Sequence, residues 1–159
     1  MRMYVKKFVT AACGLGIALS ISAQGNLKKW PKGQTPLEIG EKLSRRFIAS
    51  PHGVYGGDAK PHIPYFEVGT WYGALQWAVL AENTAIQKEL ANRFLPLFTT
   101  DSSLLPVPDH VDYSVFGAVP LEIYLQAKDK RYFELGKYYA DKQWGPPEGP
   151  RVTSESHRY

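Results

Sequence analysis

The sequence predicts an all-α protein, and three observations lead to this prediction. Apolar residues recur at three- and four-residue spacing along most of residues 35–144, which is the period of an amphipathic helix. The alternating β-branched runs that strands favour are absent. A Tyr/Phe-Gly-Ala segment occurs twice, at 71–75 and 115–119, 44 residues apart.

The first predicted helix begins at Thr35. The threonine can cap the helix, Pro36 suits the first helical position, and Glu38 can return a capping-box hydrogen bond. Apolar residues then follow at helical spacing: Leu37, Ile39, Leu43, Phe47 and Ile48. The pair at 50–51, Ser-Pro, is expected to end the helix.

Two further helices are predicted after a loop at 51–64, which is rich in Gly and Pro. One starts at Tyr65 and ends before Asn83, with Trp71, Leu75, Ala78 and Val79 on one face. The other carries Ile86, Leu90, Phe94 and Leu97.

The last two helices are predicted at 112–127 and 130–144, after a polar loop at 99–110. Pro120 lies inside the first of them and should kink it or delay its start, because proline lacks the N–H group and its ring crowds the preceding turn.

The repeat predicts a helix-turn-helix unit that is used more than once. The Gly-Ala pair would let helices approach closely, and the aromatic residue before it would point into a core or a central cavity. A HEAT-like solenoid and an (α/α) barrel are both compatible with this pattern. The chain carries two to three such hairpins, too few to complete either architecture.

The basic character of the chain comes largely from its first 23 residues. They hold Arg2, Lys6 and Lys7 and no acid, which leaves 16 basic against 15 acidic residues in the remainder. This balance argues against nucleic acid as a partner. Basic residues before an apolar run predict a secretory signal at 1–23, cleaved after Ala23 or Ser22, with a retained anchor as the alternative. We therefore expect a periplasmic or secreted bacterial protein with no stable membrane partner, and a linker at 24–34.

The sharpest candidate cluster is Asp109, His110 and Asp112, at a predicted junction between a loop and a helix. Two carboxylates and an imidazole can position a hydroxyl group or transfer a proton. In the alternative interpretation, Asp109 or Asp112 only caps the helix. No metal site is expected, since His52, His62 and His110 lack ligand spacing. The lone Cys13 lies in the leader, so no cysteine nucleophile is expected in the mature chain.

Aromatic residues crowd the helix that starts at Tyr65. Their flat faces suit the C–H faces of sugar rings, and Tyr65 and Trp71 are the candidates for a site. Trp77 and Phe66 are expected to pack in the core. Glu67 is the acid among them.

Two blocks, YFEVGTWYGAL and DHVDYSVFGAVPLEIYLQAKDKRYFELGKYYADKQW, together with the leader, resemble the N-terminal half of glycoside hydrolase families 88 and 105. These are unsaturated glucuronyl and rhamnogalacturonyl hydrolases. The resemblance covers residues 35–159 and implies a six-hairpin (α/α) barrel, of which about half of the hairpins are present here. It implies a substrate class of unsaturated uronyl oligosaccharides derived from pectin or glycosaminoglycans, and no cofactor.

The resemblance also implies a reaction and a set of site residues. An aspartic acid protonates C4 of the C4=C5 vinyl ether, and water attacks C5. Asp112 is similar to the assisting aspartate of the family. Tyr65, Trp71, His110 and His157 would contact the sugar.

The family's principal acid lies in a later Trp-hydrophobic-Asp motif that these residues lack, since no Asp follows Asp141. We therefore expect an N-terminal fragment that is inactive by itself. The alternatives are a non-catalytic helical sugar-binding or interaction module, and a fragment of an α-toroid polysaccharide lyase.

Overall fold

The computed structural model describes residues 30–53 and 61–144, and within these ranges the chain is helical with no strand. The helices are α1 (Pro36–Ala49), α2 (Tyr65–Leu80), α3 (Thr84–Phe94), α4 (Val111–Ser114), α5 (Ala118–Ala127) and α6 (Lys130–Trp144). Short 3-10 turns lie at Leu95–Phe98, Ser102–Leu104 and Val115–Gly117. The all-α prediction is confirmed.

The chain divides into two compact units, Met1–Ile39 and Gly40–Tyr159. In the first unit, Thr35 and Glu38 form the predicted capping box. The Glu38 N–H donates to Thr35 Oγ1 at 3.1 Å, and Glu38 Oε2 accepts from the Thr35 N–H at 3.0 Å. Both bonds satisfy backbone N–H groups that a helix start would otherwise leave unpaired.

In the second unit, α2 packs against α3, α5 packs against α6, and α2 also packs against α5. The turns that follow α2 and α5 resemble one another. Each contains a residue with positive φ, Glu82 at 53° and Lys128 at 58°. Each next helix begins with a side-chain cap, because Asn83 Oδ1 accepts from the Ile86 N–H and Asp129 Oδ1 accepts from the Arg131 N–H.

The core is centred on Phe94 of α3. Its ring lies 5.3–5.7 Å from four other aromatic rings, which belong to Trp71, Phe98, Phe116 and Tyr132. Ile86, Leu90 and Leu97 are also fully buried, which confirms the face predicted for this segment. The buried side chains of α2, α3 and α6 therefore meet in one cluster.

The predicted disturbance around Pro120 is present. The segment that precedes it changes from α4 to a 3-10 turn at Val115–Gly117, and a regular helix resumes at Ala118. Because Pro120 has no N–H group, it cannot donate to the carbonyl group of Phe116, and the tighter turn falls at this point.

The Gly-Ala segments behave differently in the two copies of the repeat. A Cβ atom added to Gly117 would lie 2.6 Å from Tyr139 Cβ and 3.0 Å from the Gly136 carbonyl oxygen, so this glycine permits close approach of α6. A Cβ atom added to Gly73 would meet nothing within 4 Å. The expectation of close approach is thus confirmed for Gly117 and wrong for Gly73.

Candidate functional site

A cavity of about 280 Å³ lies at the amino-terminal ends of α2 and α4. It is lined by His62, Pro64, Tyr65, Phe66, His110, Asp112 and Tyr113. Three of the residues selected from the sequence, Tyr65, His110 and Asp112, therefore meet around one space. They come from segments more than 40 residues apart in the chain.

The imidazole of His110 caps α4. Its Nδ1 accepts a hydrogen bond from the Asp112 N–H at 3.1 Å, which requires that nitrogen to be unprotonated. Asp112 Oδ2 lies 3.5 Å from the same nitrogen. The cap is therefore His110, not Asp109 or Asp112 as the alternative interpretation held. The Asp112 carboxylate does not cap the helix, and its side chain is 52% exposed at the edge of the cavity.

Tyr113 stands between two histidines. Its ring centroid lies 4.4 Å from that of His62, edge to face, and 5.6 Å from that of His110. His62 is buried, and the backbone fixes this stretch because the Ile63 N–H donates to the Leu104 carbonyl oxygen at 3.0 Å. The sequence drew attention to His62 only as a poor metal ligand, so its place in this cavity was missed.

The aromatic wall of the cavity is formed by Tyr65 and Phe66, each 57% exposed, with ring centroids 5.8 Å apart. The exposure of Tyr65 agrees with its selection as a site candidate. The expectation that Phe66 packs in the core is wrong, because its ring lies on the open side of α2. The exposed aromatic rings therefore line the same cavity as the Asp112 carboxylate.

Trp71 does not line this cavity. Its side chain is fully buried, 5.4 Å from the Phe94 ring and 5.7 Å from the Phe47 ring, so it is a core residue and not a sugar contact. The packing explains the correction, since Trp71 lies on the face of α2 that meets α3, whereas Tyr65 lies at the open end of the helix. His157 lies outside the described residues.

A buried polar cluster lies behind the aromatic wall, and sequence reasoning did not find it. Glu67 Oε1 is 2.6 Å from His52 Nδ1 and accepts from Arg93 Nη2 at 3.0 Å. Glu67 Oε2 accepts from the Gly53 N–H at 2.6 Å. The side chains of Glu67 and Arg93 are only 5% and 8% exposed. One feature of the sequence could have indicated this cluster, because Glu67 is the one charged residue in the otherwise mostly apolar helix α2.

Arg93 extends this cluster to the end of α1. Its Nη1 donates to the carbonyl oxygens of Ile48 and Ser50, and its guanidinium lies 4.4 Å from the centroid of the Phe47 ring. Burial raises the pKa of the Glu67 carboxyl, but hydrogen bonds from His52, Arg93 and the Gly53 N–H outweigh it. The pKa of Glu67 therefore lies below its usual value of 4.5.

The described residues hold no group of three His, Cys, Asp or Glu side chains placed to bind a metal ion. In the same ranges, no helix has both the length and the apolar character needed to cross a bilayer.

Comparisons with known proteins place no relative beside this chain. No family model matches it, and neither a curated protein nor a solved structure shows significant similarity to it.

Proposed function

We propose that the chain is a carbohydrate-active domain of the unsaturated uronyl hydrolase type, corresponding to glycoside hydrolase families 88 and 105. The observation that carries this proposal is the meeting of Tyr65, His110 and Asp112 around one cavity. The exposed rings of Tyr65 and Phe66 would stack on the sugar, and Asp112 would face its reacting end.

We propose that Asp112 stabilises positive charge that develops at C5 when the C4=C5 vinyl ether is protonated. A half-exposed carboxylate beside an imidazole can hold a water molecule or accept its proton. Among the described residues, Asp112 is the one carboxylate that lines this cavity. A second acid is required to protonate C4, so the expected hydrolytic activity of these residues alone is low.

The proposal includes an (α/α) barrel as the parent architecture. It is supported by the packing of α2 on α3 and of α5 on α6, and by the similar capped turns that follow α2 and α5. The sequence repeat of 44 residues points the same way. The signal at 1–23 lies outside the described residues, and the secreted or periplasmic location stays a prediction.

The test uses an unsaturated uronyl disaccharide with two readouts, which are loss of the double-bond absorbance and binding measured by calorimetry. We expect binding with little or no turnover, and about 10-fold weaker binding for Asp112→Asn or Tyr65→Ala, the typical loss of one good contact. Asp141→Asn, an exposed carboxylate on α6, is the matched control and should bind like the wild type. Absence of binding, or unchanged binding in both cavity variants, would refute the proposal.

A non-catalytic sugar-binding module is the second candidate function, and it is favoured because Asp112 is the one carboxylate that the described residues bring to the cavity. The two candidates differ in one measurement. A slow loss of the double-bond absorbance that disappears in Asp112→Asn would support the hydrolase proposal. Binding without any such loss would support a binding module.

A further inference from the structure

The cavity that contains Asp112 carries an uncompensated negative charge. Among the described residues that line it, none is a lysine or an arginine. His110 brings no positive charge in this arrangement, because its Nδ1 accepts the Asp112 N–H and is therefore unprotonated. Behind the aromatic wall, Glu67 and Arg93 pair with each other at 3.0 Å. The half-exposed Asp112 carboxylate is thus open to a positive charge that comes from outside the chain.

Aromatic rings form much of the remaining wall. The exposed rings of Tyr65 and Phe66 stand at 75° to each other with centroids 5.8 Å apart, so their planes form two sides of a corner. Tyr113 contributes a third ring, which packs edge to face against His62 with centroids 4.4 Å apart. The faces of such rings attract a cation that lies within about 6 Å of their centroids.

Rings at steep angles beside an uncompensated carboxylate favour an organic ammonium ion as the ligand. A neutral apolar molecule would cover the Asp112 carboxylate without giving it a partner. A metal ion needs several oxygen or nitrogen ligands, and the described residues hold no group of three side chains that would supply them. A methylated ammonium head can place its charge near Asp112 and its C–H groups against the rings. The volume of about 280 Å³ suits a small head group, since sites for drug-sized ligands start at about 300 Å³.

We propose that the Asp112 cavity binds a small organic cation with a methylated ammonium head. Tyr65, Phe66 and Tyr113 enclose the head, and Asp112 balances its charge. This cation proposal goes beyond the hydrolase proposal and does not rest on it, because it requires the rings and the carboxylate but no catalytic step. The two proposals make different demands on one side chain. A uronyl sugar must hold its own carboxylate away from Asp112, whereas an ammonium head must lie beside it.

The probe is choline chloride, and the neutral comparison is 3,3-dimethylbutan-1-ol, which has carbon in place of the charged nitrogen. Each compound is titrated into the isotope-labelled protein at pH 8, above the usual range of imidazole protonation, with sodium chloride holding the ionic strength constant. We expect choline to shift amides in 62–66 and 110–113 saturably, and the alcohol to bind there about 10-fold more weakly. Equal affinity for the two compounds, or choline shifts confined to other segments, would overturn the proposal.

Two variants separate the charge from the rings. Asp112→Asn should weaken choline binding about 10-fold and leave the binding of the neutral alcohol unchanged, because only the charge is removed. Tyr65→Leu keeps an apolar side chain without a ring face and should weaken choline binding about 3-fold. Tyr72→Leu removes an exposed tyrosine of α2 that does not line the cavity, so this matched control should bind choline like the wild type. Unchanged choline binding in both cavity variants would refute the cation proposal.

The cation proposal and the hydrolase proposal can fail separately. Binding of choline without binding of the unsaturated disaccharide would support the cation proposal and refute the hydrolase proposal. The reverse result would overturn the cation proposal alone. If both compounds bind, choline should displace the disaccharide, because they occupy one cavity. Simultaneous binding would place choline elsewhere and would therefore also overturn the cation proposal.

Discussion

Glu67 is the residue on which the buried polar cluster depends. It accepts hydrogen bonds from Arg93 and the Gly53 N–H and pairs with His52, so it joins two distant parts of the chain, the segment 52–53 and α3. A buried cation costs several kcal/mol when its partner is removed, because water cannot replace the lost bonds. The cluster is thus a strong contributor to stability only while all of its members are present.

Glu67→Gln should destabilise the protein by about 3 kcal/mol, since it keeps the side-chain shape but leaves the Arg93 charge buried without an anion. Urea denaturation at neutral pH measures this loss. Glu89→Gln is the matched control, because Glu89 is 44% exposed and lies 4.0 Å from Arg45, so its removal should cost less than about 1 kcal/mol. Equal losses in the two variants would contradict a buried role for Glu67.

At the scale of the helix, α2 and the segment before α5 share the Tyr/Phe-Gly-Ala sequence but not its surroundings. Gly117 touches α6 through its backbone, whereas Gly73 faces open space. A glycine inside a helix costs about 0.5–1 kcal/mol relative to alanine unless its small size is needed for packing. The two positions should therefore respond to the same substitution with opposite signs.

Gly73→Ala should stabilise the protein by about 0.5–1 kcal/mol by restricting the unfolded chain. Gly117→Ala should destabilise it, because the new methyl group would overlap Tyr139 Cβ and press on the Gly136 carbonyl oxygen. Thermal unfolding of the two variants in parallel gives the comparison, and a shift of the same sign in both would show that the packing difference has no energetic effect.

Local features of these helices could be predicted from the sequence, and features that depend on distant segments could not. The Thr35–Glu38 capping box and the effect of Pro120 involve residues within one turn, where short-range stereochemistry decides. The sequence could not predict that Trp71 is buried in the core and Phe66 is exposed at the cavity. Both are aromatic residues on α2, and α3 covers only the face that carries Trp71.

The same reasoning applies to the candidate sites. The sequence selected Tyr65, His110 and Asp112, but nothing in it places His62 beside Tyr113, which depends on how the segment before α2 meets α4. The cluster of His52, Glu67 and Arg93 spans 41 residues and has no local pattern. Such contacts exist only once the helices have packed.

At the scale of the whole molecule, stability should fall at both ends of the pH range. The pKa of Glu67 is lowered in the folded state. Its contribution to the free energy of unfolding is therefore fully present above about pH 4.5 and is lost as the pH falls through the lower pKa of the folded state. Burial raises the pKa of Tyr139, whose hydroxyl donates to the Pro106 carbonyl oxygen. The contribution of Tyr139 to the free energy of unfolding is complete below about pH 10, the ordinary pKa of tyrosine, and is lost as the pH rises towards the higher pKa of the folded state.

Urea midpoints measured from acid to alkaline pH test this window. Glu67→Gln should reduce the fall of the urea midpoint at acid pH and leave its fall at alkaline pH unchanged. Tyr139→Phe should reduce the fall at alkaline pH and leave that at acid pH unchanged. Tyr72→Phe, which alters an exposed tyrosine on α2, should leave both slopes as in the wild type. A variant that moves both slopes would show that the two groups do not act separately.

The reach of Arg93 has a consequence for the order of events in folding. Its guanidinium joins the carbonyl oxygen of Ile48, 45 residues away, and the Glu67 carboxylate, 26 residues away. The guanidinium can be buried only after both segments have packed against α3, because the chain loops between them must close first. The ion pair is therefore expected to form after the rate-limiting step, so that Glu67→Gln speeds unfolding and leaves the refolding rate almost unchanged in stopped-flow measurements. In this protein, Arg93 would set how long the native state lasts and not how quickly it is reached.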